Sequence, residues 1–202
     1  MGLNTYLLLL LGTVSLLDAA CPLVPPITNF DPDRFGGLWY QVEWLNTGPA
    51  SAFQAQTRSC MTVDYTHTGN GSFTAVVNWN TEIGPLLIPF SSNQYLTPAD
   101  PNFPNYFFTG VNGLMSREPN VFILDTDYTR HAILYTCTDL VFGIQEYGWI
   151  IHRRKIGFTD RRRTKILGEL SSKLGITFVD PGQFNFVGQK CSGLGNFSTP
   201  TP

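Results

Sequence analysis

Short runs of β-branched and aromatic residues, broken by clusters of Gly, Pro, Asn and Asp, recur between residues 37 and 152. Each run is long enough for one strand and too short for an ordinary helix. The pattern predicts strands at 37–44, about 53–65, 73–79, 106–111, 121–124, 131–137 and 147–152. The turn His67-Thr68-Gly69-Asn70-Gly71 joins two of them, and its Asn-Gly pair favours a tight hairpin. Residues 86–88 are apolar enough for a further strand, whereas the polar and proline-bearing stretch 91–104 reads as loop.

Period and composition change only near the ends. Pro22, Pro25 and Pro26 keep the early chain extended, and residues 31–35 predict a short helical turn closing one end of the fold. Late in the chain Ile166, Leu167, Leu170 and Leu174 share one helical face; Thr159 or Asp160 can cap that helix and Gly175 can end it. A short strand follows near 184–187. Many short strands without alternating helices point to an antiparallel barrel or sandwich, and no internal repeat is evident.

The first residues read as a secretory leader: apolar runs at 7–11 and 14–17, then Ala19-Ala20 at a cleavage position. The run is shorter than the ~20 apolar residues of a membrane-spanning helix. Cys21 directly after Ala20 raises the idea of a lipid-modified cysteine, but Asp18 stands where such a signal requires an apolar residue. The expected organisation is therefore a leader at 1–20, one domain at 21–191 and a flexible Gly/Ser/Thr/Pro-rich tail at 192–202. Charge is nearly balanced, Lys+Arg 13 against Asp+Glu 15, which gives no reason to expect a nucleic-acid partner. Four cysteines (Cys21, Cys60, Cys137 and Cys191) imply two disulfides in a secreted chain, with three pairings open. Asn70 and Asn196 each begin an Asn-x-Ser glycosylation triplet.

One spaced set carries more than any of these. Gly37-Leu38-Trp39-Tyr40, the turn Thr126-Asp127-Tyr128 and Arg153 shortly after Trp149, with the four cysteines around them, resemble the lipocalins. Within that family the likeness is to the apolipoprotein D-like group, with the crustacyanins and insect bilin-binding proteins near it. The resemblance runs from about residue 30 to 191. It implies an all-β, eight-stranded antiparallel up-and-down barrel with one C-terminal amphipathic helix packed outside. It also implies the pairing Cys21–Cys137 and Cys60–Cys191. Arg153 should lie across the Trp39 indole at the closed end, a cation–π contact of roughly 0.5–2 kcal/mol. Gly37, Thr126, Asp127 and Tyr128 complete that structural motif. Three features depart from the group: the proline-rich 85–104, the run Arg161-Arg162-Arg163 and the long tail after Cys191.

Strand alternation then selects a cavity wall. Tyr147, Trp149 and Ile151 share a face with Arg153; Trp149 matches a tryptophan that touches ligand in the apolipoprotein D-like proteins. Gln41 follows Trp39 on its face and matches a crustacyanin glutamine placed near a carotenoid ring. Val63 and Tyr65 follow Cys60 at the spacing of a pocket tyrosine, and Val121 and Ile123 precede the Thr-Asp-Tyr turn. The aliphatic members of this set suit an ordinary core equally well. Phe53 and residues 86–103 belong near the open mouth, where loops set access.

Catalysis finds little support. All four cysteines are accounted for by disulfides, no Gly-x-Ser-x-Gly occurs, and His67, His131 and His152 lack metal-site spacing. His67 reads as a turn residue and the other two as strand-surface residues, with His131 as a haem axial ligand the alternative. The basic stretch from Arg153 to Lys165 reads as a solvated face rather than a docking site for an acidic partner or sulfated polysaccharide. The expected protein is a secreted, non-enzymatic carrier with no obligatory cofactor, holding a fatty acid, sterol, retinoid, bilin or carotenoid. A crustacyanin-like pigment subunit, in a homo- or hetero-oligomer, is one alternative; a barrel acting through surface protein contacts is the other. Neither stable membrane insertion nor nucleic-acid binding is expected.

Overall fold

A computed structural model describes residues 21–47, 58–111, 114–115, 120–140, 143–174, 184–189 and 191. The leader at 1–20, Phe53, Gly175, Asn196 and the tail at 192–202 lie outside the described residues, as does the side chain of Leu174. The strands are β1 (Gly37–Asn46), β2 (Arg58–Gly69), β3 (Ser72–Ile83), β4 (Leu86–Asp100), β5 (Phe103–Val111), β6 (Leu114–Met115), β7 (Val121–Thr126), β8 (His131–Leu140), β9 (Gly143–His152) and β10 (Asn185–Phe186). Among the described residues two helices accompany them, α1 (Pro32–Phe35) and α2 (Asp160–Leu174). Eight strands, β1 to β5 and β7 to β9, pair antiparallel with their neighbours, and β9 returns to β1 to close the barrel. The two-residue β6 is a spur on β5. The hairpin between β2 and β3 turns through Asn70 (φ 50°) and Gly71 (φ 73°), the pair of left-handed residues that matches strand twist.

Residues 91–104 correct the sequence reading. Most of them belong to β4, a 15-residue strand, paired with β3 from Phe73↔Leu96 to Ile83↔Leu86. The outer residues Ser91, Asn93 and Tyr95 face water, while Ser92 and Gln94 face a partly polar interior. With polar side chains on both faces, no apolar alternation marks the strand. Pro98 stands beside a register shift, where the ladder is interrupted.

The closed end is built on α1. Asp31 caps it by accepting the Arg34 N–H at 3.1 Å, and Pro32 opens the helix with its φ already set. Phe35, fully buried, meets Phe30, Trp39, Tyr65 and Phe73 at ring separations of 5.1 to 5.8 Å. The Trp39 indole donates to the Phe35 carbonyl at 2.9 Å, and the Arg153 guanidinium carbon lies 3.7 Å from the centre of its ring system. Arg153 also reaches five backbone carbonyls: those of Arg34, Phe35, Gly36, Leu38 and Tyr128, at 2.8 to 3.2 Å. Gly37 has φ 91°, and a Cβ there would come within 3.3 Å of an Arg153 terminal nitrogen, so both conformation and space call for glycine. Thr126, Asp127 and Tyr128 form the turn between β7 and β8. Asp127 accepts from the Arg130 and His131 amides at 2.7 and 3.0 Å, and Thr126 accepts from Tyr128.

At the other end β1 parts from β2, its last paired residue being Tyr40, opposite Thr62. The C-terminal segment fills the seam. β10 pairs with β1 at Glu43↔Phe186, Val187 donates to the Val42 carbonyl at 2.9 Å, and Cys60 donates to the Gly188 carbonyl at 2.7 Å. Disulfides join Cys60 to Cys191 and Cys21 to Cys137 across 131 and 116 residues. Loops of that length are worth ~4–5 kcal/mol each in the chain-entropy account.

Helix α2 lies outside the barrel, with Leu167 and Leu170 buried against Val42, Leu45, Ile133 and Ile150. Its basic run is not wholly solvated. Arg163 turns inward and pairs with Oε2 of Glu43, a fully buried carboxylate on the outer face of β1, at 2.5 Å. Burial raises the Glu43 pKa while Arg163 pulls it back down.

Two substitutions probe these joints in urea titrations. Trp39→Ala is expected to cost roughly 3–5 kcal/mol, as for other buried aromatics, and wild-type stability would contradict the closed-end assignment. Arg163→Met leaves Glu43 buried without its counter-charge, and a loss of ~3–5 kcal/mol is expected, largely recovered by adding Glu43→Gln.

Candidate functional site

Above the aromatic floor the barrel encloses a cavity of about 280 Å³, close to the ~300 Å³ at which small-ligand pockets begin. Its lower wall is Val63 and Tyr65 from β2, Leu96 from β4, Val121 from β7 and Ile151 from β9. Gln41, Met61, Val77, Gln94, Thr109 and Leu134 form the middle. Arg58, Trp79, Ser92 and Trp149 complete the lining toward the open end. Period-two alternation explains most of these positions.

Of the residues selected by sequence, Gln41, Val63, Tyr65, Val121, Trp149 and Ile151 are brought together around this space. Ile123 and Tyr147 are not. Ile123 is fully buried in the floor cluster with Phe30, Phe107 and Ala132, below the cavity. Tyr147 stands beyond Trp149, its ring stacked on the indole at 6.0 Å, and its hydroxyl accepts from the Gln145 amide at 2.8 Å. Alternation had placed both on the correct face; depth along the barrel axis excluded them.

The remaining wall residues escaped sequence reasoning for traceable reasons. Met61 and Trp79 continue the alternation of Val63 and Val77 by one step, which was signal enough to find them. Ser92, Gln94 and Leu96 were hidden by the loop reading of their segment. Arg58 requires the fold itself, because β2 changes parity at an irregularity between Ser59 and Thr62. Cys60 sits there with φ 57°, so residue 58 faces inward together with 61, 63 and 65.

Polar groups in the wall are few. The Gln41 amide is 3% exposed and donates to the Met61 sulfur at 3.3 Å, a weak acceptor that leaves hydrogen-bonding capacity unused. Burial raises the Tyr65 hydroxyl pKa, and among the described residues that hydroxyl has no hydrogen-bond partner. A buried aromatic with an unmatched polar tip suits a ligand or a water.

No protein-family model matches the chain. Apolipoprotein D of Oryctolagus cuniculus is 26% identical over 161 residues, covering 75% of this chain and 80% of the relative. Among solved structures, lobster apocrustacyanin A1 superposes with a TM-score of 0.56 at 21% identity, over 78% of each chain. Insecticyanin from the tobacco hornworm Manduca sexta gives 0.59 at 18% identity, over 84% of this chain and 86% of its own. The chain is lipocalin-like in sequence and fold.

The histidines of this lipocalin-like barrel need a correction. His131 and His152 are not surface residues but 5% and 8% exposed, and His131 is not among the cavity-lining residues that a haem ligand would join. Both point outward from β8 and β9 and are roofed by Phe158, at ring separations of 5.0 and 4.4 Å. His131 Nε2 bonds Asp125 at 2.9 Å and its Nδ1 lies 3.2 Å from Asp127. His152 Nε2 is buried without a hydrogen-bond partner among the described residues. Burial, then the charges of His131 and Arg162, lower its pKa to about 4. His67 is a residue of β2 opposite Phe73 rather than of the turn itself, bonded to Asp33 and accepting the Gly71 amide from the turn that follows.

His152 thus has a folded-state pKa of about 4 against ~6.5 unfolded. Between those values the unfolded chain binds the extra proton, so stability falls as pH drops from ~6.5 and levels off near 4. The total is about 3 kcal/mol. Asp127, held at about 2 by amide and Arg130 hydrogen bonds, acts in a separate window at lower pH. Urea unfolding across this range should show the slope in the wild type and its loss in His152→Leu; an unchanged slope would assign it elsewhere.

Proposed function

We propose that the protein is a secreted, non-catalytic carrier that holds one small hydrophobic molecule inside the barrel. The observation that carries this reading is the cavity itself: a largely apolar space whose wall, among the described residues, has a few neutral polar groups and one arginine. Burial of apolar ligand surface would supply the binding energy, at ~25 cal/mol per Å² before ordering costs. We assign ligand contact to Gln41, Val63, Tyr65, Val121, Trp149 and Ile151, with Trp149 as the main aromatic anchor. Fatty acids, sterols, retinoids, bilins and carotenoids all fit this class.

Secretion is supported by the leader-like residues 1–20 and by the two disulfides, which require an oxidising compartment. Asn70, exposed at the tip of the β2–β3 hairpin, is the proposed glycosylation site. The non-catalytic reading rests on the four cysteines being paired and on the three histidines lying outside the cavity lining. A pigment-binding variant of the same function draws on the likeness to apocrustacyanin A1 and on Gln41 within the wall.

An absorption spectrum of the protein from its natural source, followed by mass spectrometry of its organic extract, tests the reading. A visible band with a recovered carotenoid or bilin identifies a pigment carrier; a colourless protein yielding lipid identifies a lipid carrier. Failure to bind any of these classes on titration would overturn the proposal. Trp149→Ala should weaken binding by about tenfold, ~1.4 kcal/mol, with a smaller effect on thermal stability. Unchanged affinity would remove Trp149 from the site.

A further inference from the structure

Among the described residues Arg58 is the only charged side chain in the cavity wall, and it is held there by an unusual piece of backbone. Regular alternation from Met61, Val63 and Tyr65 would turn residue 58 outward. The irregularity between Ser59 and Thr62 reverses that parity, with Cys60 in the left-handed region at φ 57°. A non-glycine residue there is strained, and the surroundings fix it: the Cys60 amide donates to the Gly188 carbonyl, and its side chain is bonded to Cys191. The outcome of this construction is a guanidinium in the wall of a largely apolar cavity whose other polar groups are neutral.

The guanidinium is braced rather than neutralised. Its carbon lies 5.3 Å from the Trp79 ring centre, and Trp79 is stacked on Phe90 at 5.6 Å with the rings 13° from parallel. Among the described residues no carboxylate forms an ion pair with Arg58, in contrast to Arg130, Arg162 and Arg163. A partly buried cation without a counter-charge is costly, and a planar fork of N–H donors matches a carboxylate in two parallel hydrogen bonds. The other wall residues are neutral, and the distant end is apolar above the aromatic floor. One cation at the mouth and a hydrocarbon-like depth describe an amphipathic complement.

Resting on the carrier reading above, we propose that the ligand is a long-chain monocarboxylate whose head group pairs with Arg58 while its tail enters the barrel. This narrows the ligand class to acids and away from neutral sterols and hydrocarbon pigments.

The test is calorimetric titration of the full protein with oleic acid and with oleyl alcohol, which share a tail and differ in the head. The wild type should prefer the acid by at least about tenfold at neutral pH and low ionic strength. In Arg58→Gln the acid-to-alcohol ratio should fall to within about twofold, and Arg58→Lys should retain an intermediate preference. Equal affinities in the wild type, or an acid preference that survives in Arg58→Gln, would overturn the proposal. The wild-type comparison stands even if a variant fails to fold. Alcohol binding without acid preference would leave the carrier reading intact while removing the carboxylate; binding of neither would count against both.

Discussion

Arg153 fastens the end of the barrel that everything above it stands on. Its guanidinium gathers the carbonyls of residues 34, 35, 36 and 38, which end α1 and begin β1, together with that of Tyr128 in the β7–β8 turn. The last carbonyls of so short a helix have no partners of their own, and a cation is the natural group to satisfy them. The same planar group covers Trp39, which fills the barrel base and bonds back to Phe35. Three segments distant in sequence are thereby held by one side chain, with glycine at position 37 clearing its path. Lysine would bring the charge without the fork.

The two ends of the molecule are therefore built on different principles. Below, aromatic rings and the Arg153 guanidinium make a packed floor. Above, β1 and β2 separate and the wall is completed by a strand of only two residues, two amide hydrogen bonds and a disulfide. The cavity lies between a base that is packed and a rim that is patched. Helix α2 supports the side of the barrel where β1, β8 and β9 meet, through Leu167, Leu170 and the Arg163–Glu43 pair. No helix among the described residues packs on β4 in the same way, and its outer face is exposed.

What the sequence revealed follows from how far each signal reaches. The antiparallel strands and α2 were legible because both depend on local periodicity, in β1, β7 and β9 and in Ile166, Leu167 and Leu170 on one helical face. Closure into a barrel rather than a sandwich came from the resemblance carried by Trp39, Thr126-Asp127-Tyr128 and Arg153. Alternation names a face, however, and neither depth along it nor cover over it. Ile123 and Tyr147 were placed on the right face at the wrong height. His131 and His152 were assigned to solvent because Phe158, which covers them, belongs to no strand and strand alternation says nothing of it. Most of β4 beyond residues 86–88 was missed because Ser92 and Gln94 put polar side chains on its inner face as well as its outer one. Glu43 and Arg58 were invisible for a further reason: one owes its partner to a helix 120 residues away, the other its direction to an irregular backbone.

The seam at the rim also sets an order of events. During synthesis the strands from β1 to β9 emerge before residues 184–191, so the wall beside Gln41 and Met61 stays unsealed until the end of the domain arrives. Cys60 must wait for a partner 131 residues downstream, and until then nothing locks the bend that turns Arg58 inward. Closure of the container and maturation of its charged mouth are one late step. The barrel is finished by its last thread, and a chain halted or reduced at that stage is a vessel with an open side.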